Sequence, residues 1–260
     1  MPISEENYWK HKERVRVLFQ NFLRYTDEKR VLTEEIIRIT KPKKYWTFLD
    51  VGCGSGDITI PIAKKVTKTV AIDYDKDLLN SLLKKSRNLK NIEVLHRDWN
   101  KIGFLGEFDL VMASHILLYP SFRGKWNKTI KKLLEHVKKN GYLVIIHYSG
   151  TGEYSRMLNK FWFKVRGTRL LKIQRVQNHI YIANILRRMN YNPKTKIVKI
   201  HIKIPSLKET LNLVEWFFHI PYNKIKPETQ KELIKYFITL KKDNEIVIEG
   251  HNGLVWVKRS

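Results

Sequence analysis

Residues 49–56, Leu-Asp-Val-Gly-Cys-Gly-Ser-Gly, place a carboxylate, Asp50, two positions ahead of three alternating glycines, Gly52, Gly54 and Gly56. Backbone free of Cβ atoms can approach a ligand closely and adopt positive φ. An acid beside such a loop suits a ligand with cationic groups. A second acid, Asp73, ends the apolar run Thr69-Val-Ala-Ile and is followed by Tyr74. An acid at that position can accept both hydroxyls of a ribose. A third run, Ile92–His96, leads into Arg97-Asp98-Trp99. The glycine spacing is G-x-G-x-G. It is not the G-x-G-x-x-G of dinucleotide folds, which aims a helix N-terminus at a pyrophosphate. Cys53 lies inside the loop, where a small residue suffices.

These groups need elements to hold them. Tyr45, Trp46, Phe48, Leu49 and Val51 read as a buried strand entering the loop, and Asp57–Lys64 as a helix leaving it. Phe108–Ser114 is a fourth strand, running into His115-Ile-Leu-Leu-Tyr119. Residues 125–137 form an amphipathic helix, and Asn140-Gly141 closes it before a fifth strand, Tyr142–His147. Before the sheet, residues 4–40 read as helices, with Tyr8, Val15, Leu18, Phe19, Phe22 and Leu23 at helical spacing and a break at Thr26-Asp27-Glu28. After it, helices are expected over 154–165 and 174–189 and a strand over 195–204. Pro205-Ser206 and Pro227 open further helices, and 245–249 and 254–258 form two short strands about a His251-Asn252-Gly253 turn. The expected organisation is one domain: helical cover 1–42, ligand-binding core 43–150, and cap with closing strands 151–260.

This order of motifs resembles the class I S-adenosylmethionine (SAM) methyltransferases. The resemblance implies an α/β, Rossmann-like sheet of seven strands, the last antiparallel, with N-terminal helices and a C-terminal helical cap insertion. It implies SAM as cofactor, held by Asp50, Gly52, Cys53, Gly54, Gly56, Asp73, Tyr74, Asp98, Trp99 and Ser114, with Asp98 and its neighbour flanking the adenine. Methyl transfer needs alignment, exclusion of water and loss of one proton, with no obligatory metal or nucleophile. His115, Tyr119 and His147, at the ends of the fourth and fifth strands, are the candidates to orient an acceptor or take its proton. Arg16–Glu28, His115–Tyr119, Leu143–Gly150, the helices of 211–240 and Gly250–Val257 are further similar to histamine N-methyltransferase and its small-amine relatives. That resemblance implies that Glu28 and Asn252 hold an amine and that Tyr119 is an active-site aromatic. Two departures are Pro61 after the loop and Asp73 where that family has Glu.

Charge opens a second reading. The 260 residues carry 50 Lys and Arg against 25 Asp and Glu, a net +25. From Tyr154 to Arg188 there are nine Lys/Arg and no acid, interleaved with Phe161, Trp162 and Phe163. Such a run can follow a phosphate backbone, so an RNA- or polyanion-directed methyltransferase is the alternative to a small-molecule one. A SAM-binding regulator without turnover is a third reading. The single cysteine excludes disulfides within the chain and, with no secretory pattern, points to the cytoplasm. No apolar run reaches the ~18 residues that span a bilayer. Lysine- and isoleucine-rich usage resembles that of thermophile proteins.

Overall fold

The structure, a computed structural model, describes residues 11–122, 124–168 and 178–260. Its strands are β1 (Thr47–Val51), β2 (Lys68–Asp73), β3 (Ile92–His96), β4 (Phe108–Ser114), β5 (Val137–Thr151), β6 (Lys194–Ile204), the two-residue β7 (Lys241–Lys242) and β8 (Glu245–Lys258). Its helices are α1 (Lys12–Leu23), α2 (Glu28–Thr40), α3 (Thr59–Ala63), α4 (Lys76–Lys85), α5 (Trp126–Glu135), α6 (Gly152–Arg166), α7 (His179–Arg188), α8 (Leu207–Asn212), α9 (Val214–Phe218) and α10 (Pro227–Thr239). The sheet runs β3-β2-β1-β4-β5-β8-β6, with β7 attached to β8. Strands β1 to β5 are parallel and β8 is antiparallel to β5, as expected of the Rossmann-like methyltransferase sheet. Strand order reverses between β1 and β4, so a crevice opens beyond their carboxyl ends.

The chain divides into two compact units. The larger holds residues 29–149, 178–198 and 252–260. Its strands are apolar on both faces because helices cover both. On one face α5 and α7 bury Trp126, Ile130, Leu133, Ile182 and Leu186 against Val51, Val111, Ile145 and Val255. On the other, Leu32 and Ile36 of α2 and Ile62 of α3 meet Phe48, Leu110, Met112, Ile146 and Leu254. Helix starts follow local chemistry. Asp75 caps α4 by accepting from Asp77 and Leu78 N–H at 3.0 and 3.2 Å. Asn178 does the same for α7, toward Ile180 and Tyr181.

The smaller unit holds described residues 11–28, 150–168 and 199–251. Trp216 of α9 packs on Phe19 and Phe22 of α1, at 5.3 and 5.6 Å between ring centroids. Arg14 pairs with Glu215 at 2.6 Å, and Tyr154 of α6 meets Phe217 edge-on at 5.7 Å. The cations of α6 are engaged: Arg156 with Glu153, Lys164 with Glu232, and Lys160 over the Tyr236 ring at 5.1 Å. Arg166 is 5% exposed and donates from Nη1 to the His219 carbonyl at 2.7 Å. It is therefore an interior group and not part of a basic surface. Arg169, Lys172 and Arg175 of the same run lie outside the described residues.

Three expectations change. Residues 245–258 form one continuous strand, not two strands about a turn. Asn252 and Gly253 pair with Tyr148 and His147 of β5, and this ladder overrides the local turn preference of Asn-Gly. Likewise β5 starts at Val137, and Asn140 (φ 64°) and Gly141 sit inside it as an irregularity. The helix expected over 174–189 spans His179–Arg188 among the described residues, and the expected helical turn of 4–10 lies outside them. Among the described residues no helix is long and apolar enough to cross a membrane.

Candidate active site

The glycine loop leaves β1 and folds back on β2: Gly52 and Cys53 N–H both donate to the Ile72 carbonyl, at 2.8 and 3.0 Å. All three glycines have positive φ. They differ in what surrounds them. A Cβ on Gly52 would lie 2.2 Å from Ile116 Cγ2, and one on Gly56 would lie 2.1 Å from Leu82 Cδ1. At Gly54, apart from the glycine and its two chain neighbours, no atom of the described residues lies within 4 Å of such a Cβ. Gly52 and Gly56 are thus packing glycines, and Gly54 borders open space. Cys53 is buried, which pushes its thiol pKa upward and leaves it inert.

Asp73 holds this loop. Its Oδ2 accepts Gly54 N–H at 2.8 Å and its Oδ1 accepts Asp75 N–H at 2.9 Å. Burial raises its pKa, and these two bonds oppose the rise. Asp73→Asn should therefore lower unfolding stability by about 1.5–3 kcal/mol, since one charged acceptor is lost beside a half-buried N–H. Equilibrium urea unfolding checks this, and unchanged stability would remove Asp73 as the brace of the loop.

Asp50 is almost fully buried, and Thr59 of α3 donates to its Oδ2 at 2.6 Å. Its Oδ1 has no hydrogen-bond partner among the described residues. Burial is the main reason that its pKa is pushed up to about 7, with the Thr59 bond opposing and the Asp73 charge adding to the rise. Sequence reasoning missed Thr59. The available signal was one hydroxyl residue in an otherwise apolar helix, Ile58-Thr59-Ile60.

Ser114 Oγ and Asn252 Nδ2 are among the other buried polar atoms that have no hydrogen-bond partner among the described residues. Register places them on one sheet face with Asp50. Asp50 pairs with Met112, two before Ser114. Ser114 pairs with Ile146, two before Tyr148, which pairs with Asn252. Steps of two keep side chains on one face. An acceptor oxygen, a hydroxyl and an amide donor are thus left unmet toward the carboxyl ends of β1 and β4, where the antiparallel β8 brings Asn252. Unmet buried polar groups cost about 1–3 kcal/mol each, so a polar ligand or an ordered water is what such an arrangement accommodates.

Aromatic groups stand beside them. Tyr74 and Tyr119 meet edge-on at 6.3 Å, and burial raises both phenol pKa values, Tyr74 to about 12. Tyr119 follows a turn in which His115 is left-handed (φ 59°). The His115 ring lies 5.3 Å from that of Tyr148. His147 is buried on the opposite sheet face, edge-on to Trp126 at 5.0 Å. Asp98 caps the turn Trp99–Lys101 by accepting Asn100 N–H at 2.9 Å. The Trp99 ring is packed into the core under Lys132 and against His136, so Asp98 is the more accessible of the pair. Glu28 belongs to the smaller unit; it is buried, and its N–H donates to Thr26 Oγ1 at 3.2 Å. Among the described residues no cluster of three or more His, Cys, Asp or Glu could hold a metal.

The strand order and the braced glycine loop define the Rossmann-like fold of the class I methyltransferases. Residues 48–141 match the family model described as a methyltransferase domain. Methyltransferase YqeM of Bacillus subtilis is 31% identical over 104 residues, 39% of this chain and 42% of that protein. A protein named as ribosomal RNA small subunit methyltransferase A, of Methanosphaera stadtmanae, is 38% identical over 71 residues, 26% of each chain. The chain thus spans less than half the length of these relatives. Among solved structures, Bacillus subtilis YcgJ superposes with a TM-score of 0.57 at 12% identity, covering 88% of this chain and 98% of that one. Coclaurine N-methyltransferase bound to N-methylheliamine and S-adenosylhomocysteine (SAH) gives 0.51 at 15% identity, covering 89% and 72%.

The residues fit SAM. Its sulfonium and ammonium are cations of the charge that the unmet Asp50 oxygen would pair with, and Gly54 borders open space beside the backbone. Asp98 and Ser114 supply further polar groups.

Proposed function

We propose that the protein is a SAM-dependent methyltransferase acting on a small-molecule acceptor, with an amine nitrogen as the favoured atom. The observation that carries this reading is the buried, unmet Asp50 oxygen beside the braced glycine loop, next to Ser114 at the end of β4. SAM supplies an electrophilic methyl group. The chain's own residues do the rest. Asp50 balances the donor's positive charge, and Asp73 keeps the loop in place while its remaining lone pairs accept the ribose. Tyr119 and Tyr74 present ring faces to the acceptor and shed water from it. His115 takes the proton the acceptor loses, since His147 is packed on Trp126 on the opposite sheet face, and Asn252 donates to the acceptor's heteroatom.

The small-amine resemblance assigns Glu28 to the amine, and kinetics test that assignment. Glu28→Gln should raise KM about tenfold for cationic amines and leave neutral acceptors unaffected. Equal effects on both would remove Glu28 from the reading.

The sequence likeness to proteins named as ribosomal RNA methyltransferases supports a second reading, in which RNA is methylated. The engaged cations of α6 weigh against the basic run as its dock. The deciding experiment is transfer of label from radioactive SAM, in parallel, to a panel of small amines and to total RNA. Label on an amine supports the small-molecule reading, and label on RNA replaces it. Tight SAM binding with no label on either would leave a SAM-binding regulator.

A further inference from the structure

The smaller unit holds a row of polar side chains that the chemistry above does not use. Glu249 and His251 are two apart on β8 and so share one face of that strand. His251 Nε2 meets Glu249 Oε1 at 2.7 Å, and its Nδ1 meets Thr151 Oγ1 at 2.9 Å. An ionised carboxylate only accepts, so Nε2 carries the ring hydrogen and Nδ1 accepts from the threonine hydroxyl. The His251 bond, helped by Lys199 at 3.6 Å, holds the Glu249 carboxyl below its ordinary pKa against a smaller rise from burial. The ring is seated on Gly152, where a Cβ would come within 3.0 Å of His251 Cγ. Only 15% of the His251 side chain is exposed, whereas Thr151 is exposed. The base is thus fixed and the hydroxyl accessible. Thr151 is also the N-cap residue of α6, yet its side chain makes no capping bond. Its hydroxyl is turned to His251 instead, while the first-turn N–H groups of α6 bring partial positive charge beside it. The carboxylate of that turn, Glu153, is engaged by Tyr236 and Arg156.

We infer that Thr151 is a nucleophile toward small activated esters, with His251 as its base and Glu249 as the positioning residue that fixes the imidazole. This activity is separate from methyl transfer and does not depend on that reading. A hydroxyl bonded to an imidazole that a carboxylate orients is the arrangement that makes a weak alcohol an attacking group. Thr151 Oγ1 forms a bond to the acyl carbon, and the bond from that carbon to the leaving oxygen breaks. His251 Nδ1 takes the hydroxyl proton and gives it to the leaving oxygen. Water then attacks the acyl-threonine, losing a proton to His251, which returns it to Thr151. Ester and water become acid and alcohol. The oxyanion formed on the way carries the charge that the α6 N-terminus favours.

The test incubates the whole protein with 4-nitrophenyl acetate and, separately, with an alkyl fluorophosphonate. An attacking hydroxyl displaces fluoride from the latter, keeps the phosphonyl group and loses its proton. Peptide mass mapping of wild type should place that group on Thr151. Wild type should also hydrolyse the ester at least about tenfold faster than Thr151→Val or His251→Phe, and Thr151→Ser should stay active. Glu249→Leu should lower kcat about tenfold with KM unchanged, and Glu249→Gln, which still accepts from Nε2, should retain most of the rate. Urea unfolding reports whether each variant folds, and the mapping needs wild type alone. Absence of the phosphonyl group from Thr151, or ester hydrolysis undiminished in a folded Thr151→Val, would overturn the inference. So would equal losses in Glu249→Gln and Glu249→Leu, for the positioning role of Glu249.

Discussion

Asp50→Asn is expected to make the ligand-free protein more stable at pH 8 and at the same time to weaken SAM binding by about 100-fold. The stability half follows from burial. The Asp50 carboxyl has a folded-state pKa of about 7, well above its value of about 3.9 in an unfolded chain. Between these values the folded protein holds a proton that the unfolded chain has lost, so unfolding stability falls as pH rises from about 4 to about 7. The shift corresponds to a few kcal/mol by pH 8, an upper bound on what the ligand-free protein gives up. Asparagine carries no charge to bury and can still accept from Thr59, so the slope disappears. The binding half follows from the unmet oxygen. A cationic ligand favours the ionised carboxyl, so SAM binding should release protons near pH 6–7 in wild type and none in the variant. Thermal unfolding across pH, and calorimetry in two buffers of different ionisation enthalpy, measure both halves. A wild-type stability that does not decline from pH 4 to 7, or proton release that persists in Asp50→Asn, would contradict the assignment. This is the trade-off expected where a buried charge is kept for a ligand.

Gly54→Val should abolish measurable SAM binding, a loss of at least about 100-fold, while costing only about 1–2 kcal/mol of stability for a branched residue at φ 54°. Among the described residues other than its chain neighbours nothing stands within 4 Å of the added Cβ, so the side chain occupies the space the ligand needs rather than displacing protein. Gly56→Val is the contrast. Its Cβ meets Leu82 at 2.1 Å, inside the packing of α4 on the loop. There stability should fall by about 2–4 kcal/mol, as overpacking and backbone strain combine. Calorimetry with SAM and urea unfolding on both variants separate the effects. Equal losses of affinity at equal losses of stability would show that the loop is merely structural.

Much of this was open to reading before any coordinates. Five apolar runs, ending at Val51, Asp73, His96, Ser114 and His147, are sufficient for five parallel strands and a loop at their carboxyl ends. The reason is that periodicity and glycine spacing are local properties of the chain. Asp75 and Asn178 likewise announce their helices, because a cap acts on amides two and three residues away.

What the tertiary structure alone decided is which groups are left without partners. Asn252 looks like a turn residue, and only its ladder to Tyr148 makes it a buried strand residue with an unmet amide. Arg166 looks like one of nine cations on a surface, and only the packing of α6 turns it inward to the His219 carbonyl. Thr59 completes Asp50 from another element, and Gly253 matters because His179 lies on it. Each depends on residues far apart in the chain meeting at contact distance. Desolvation, which sets the Asp50 pKa and leaves Ser114 Oγ and Asn252 Nδ2 buried without partners among the described residues, exists only once those contacts have excluded water.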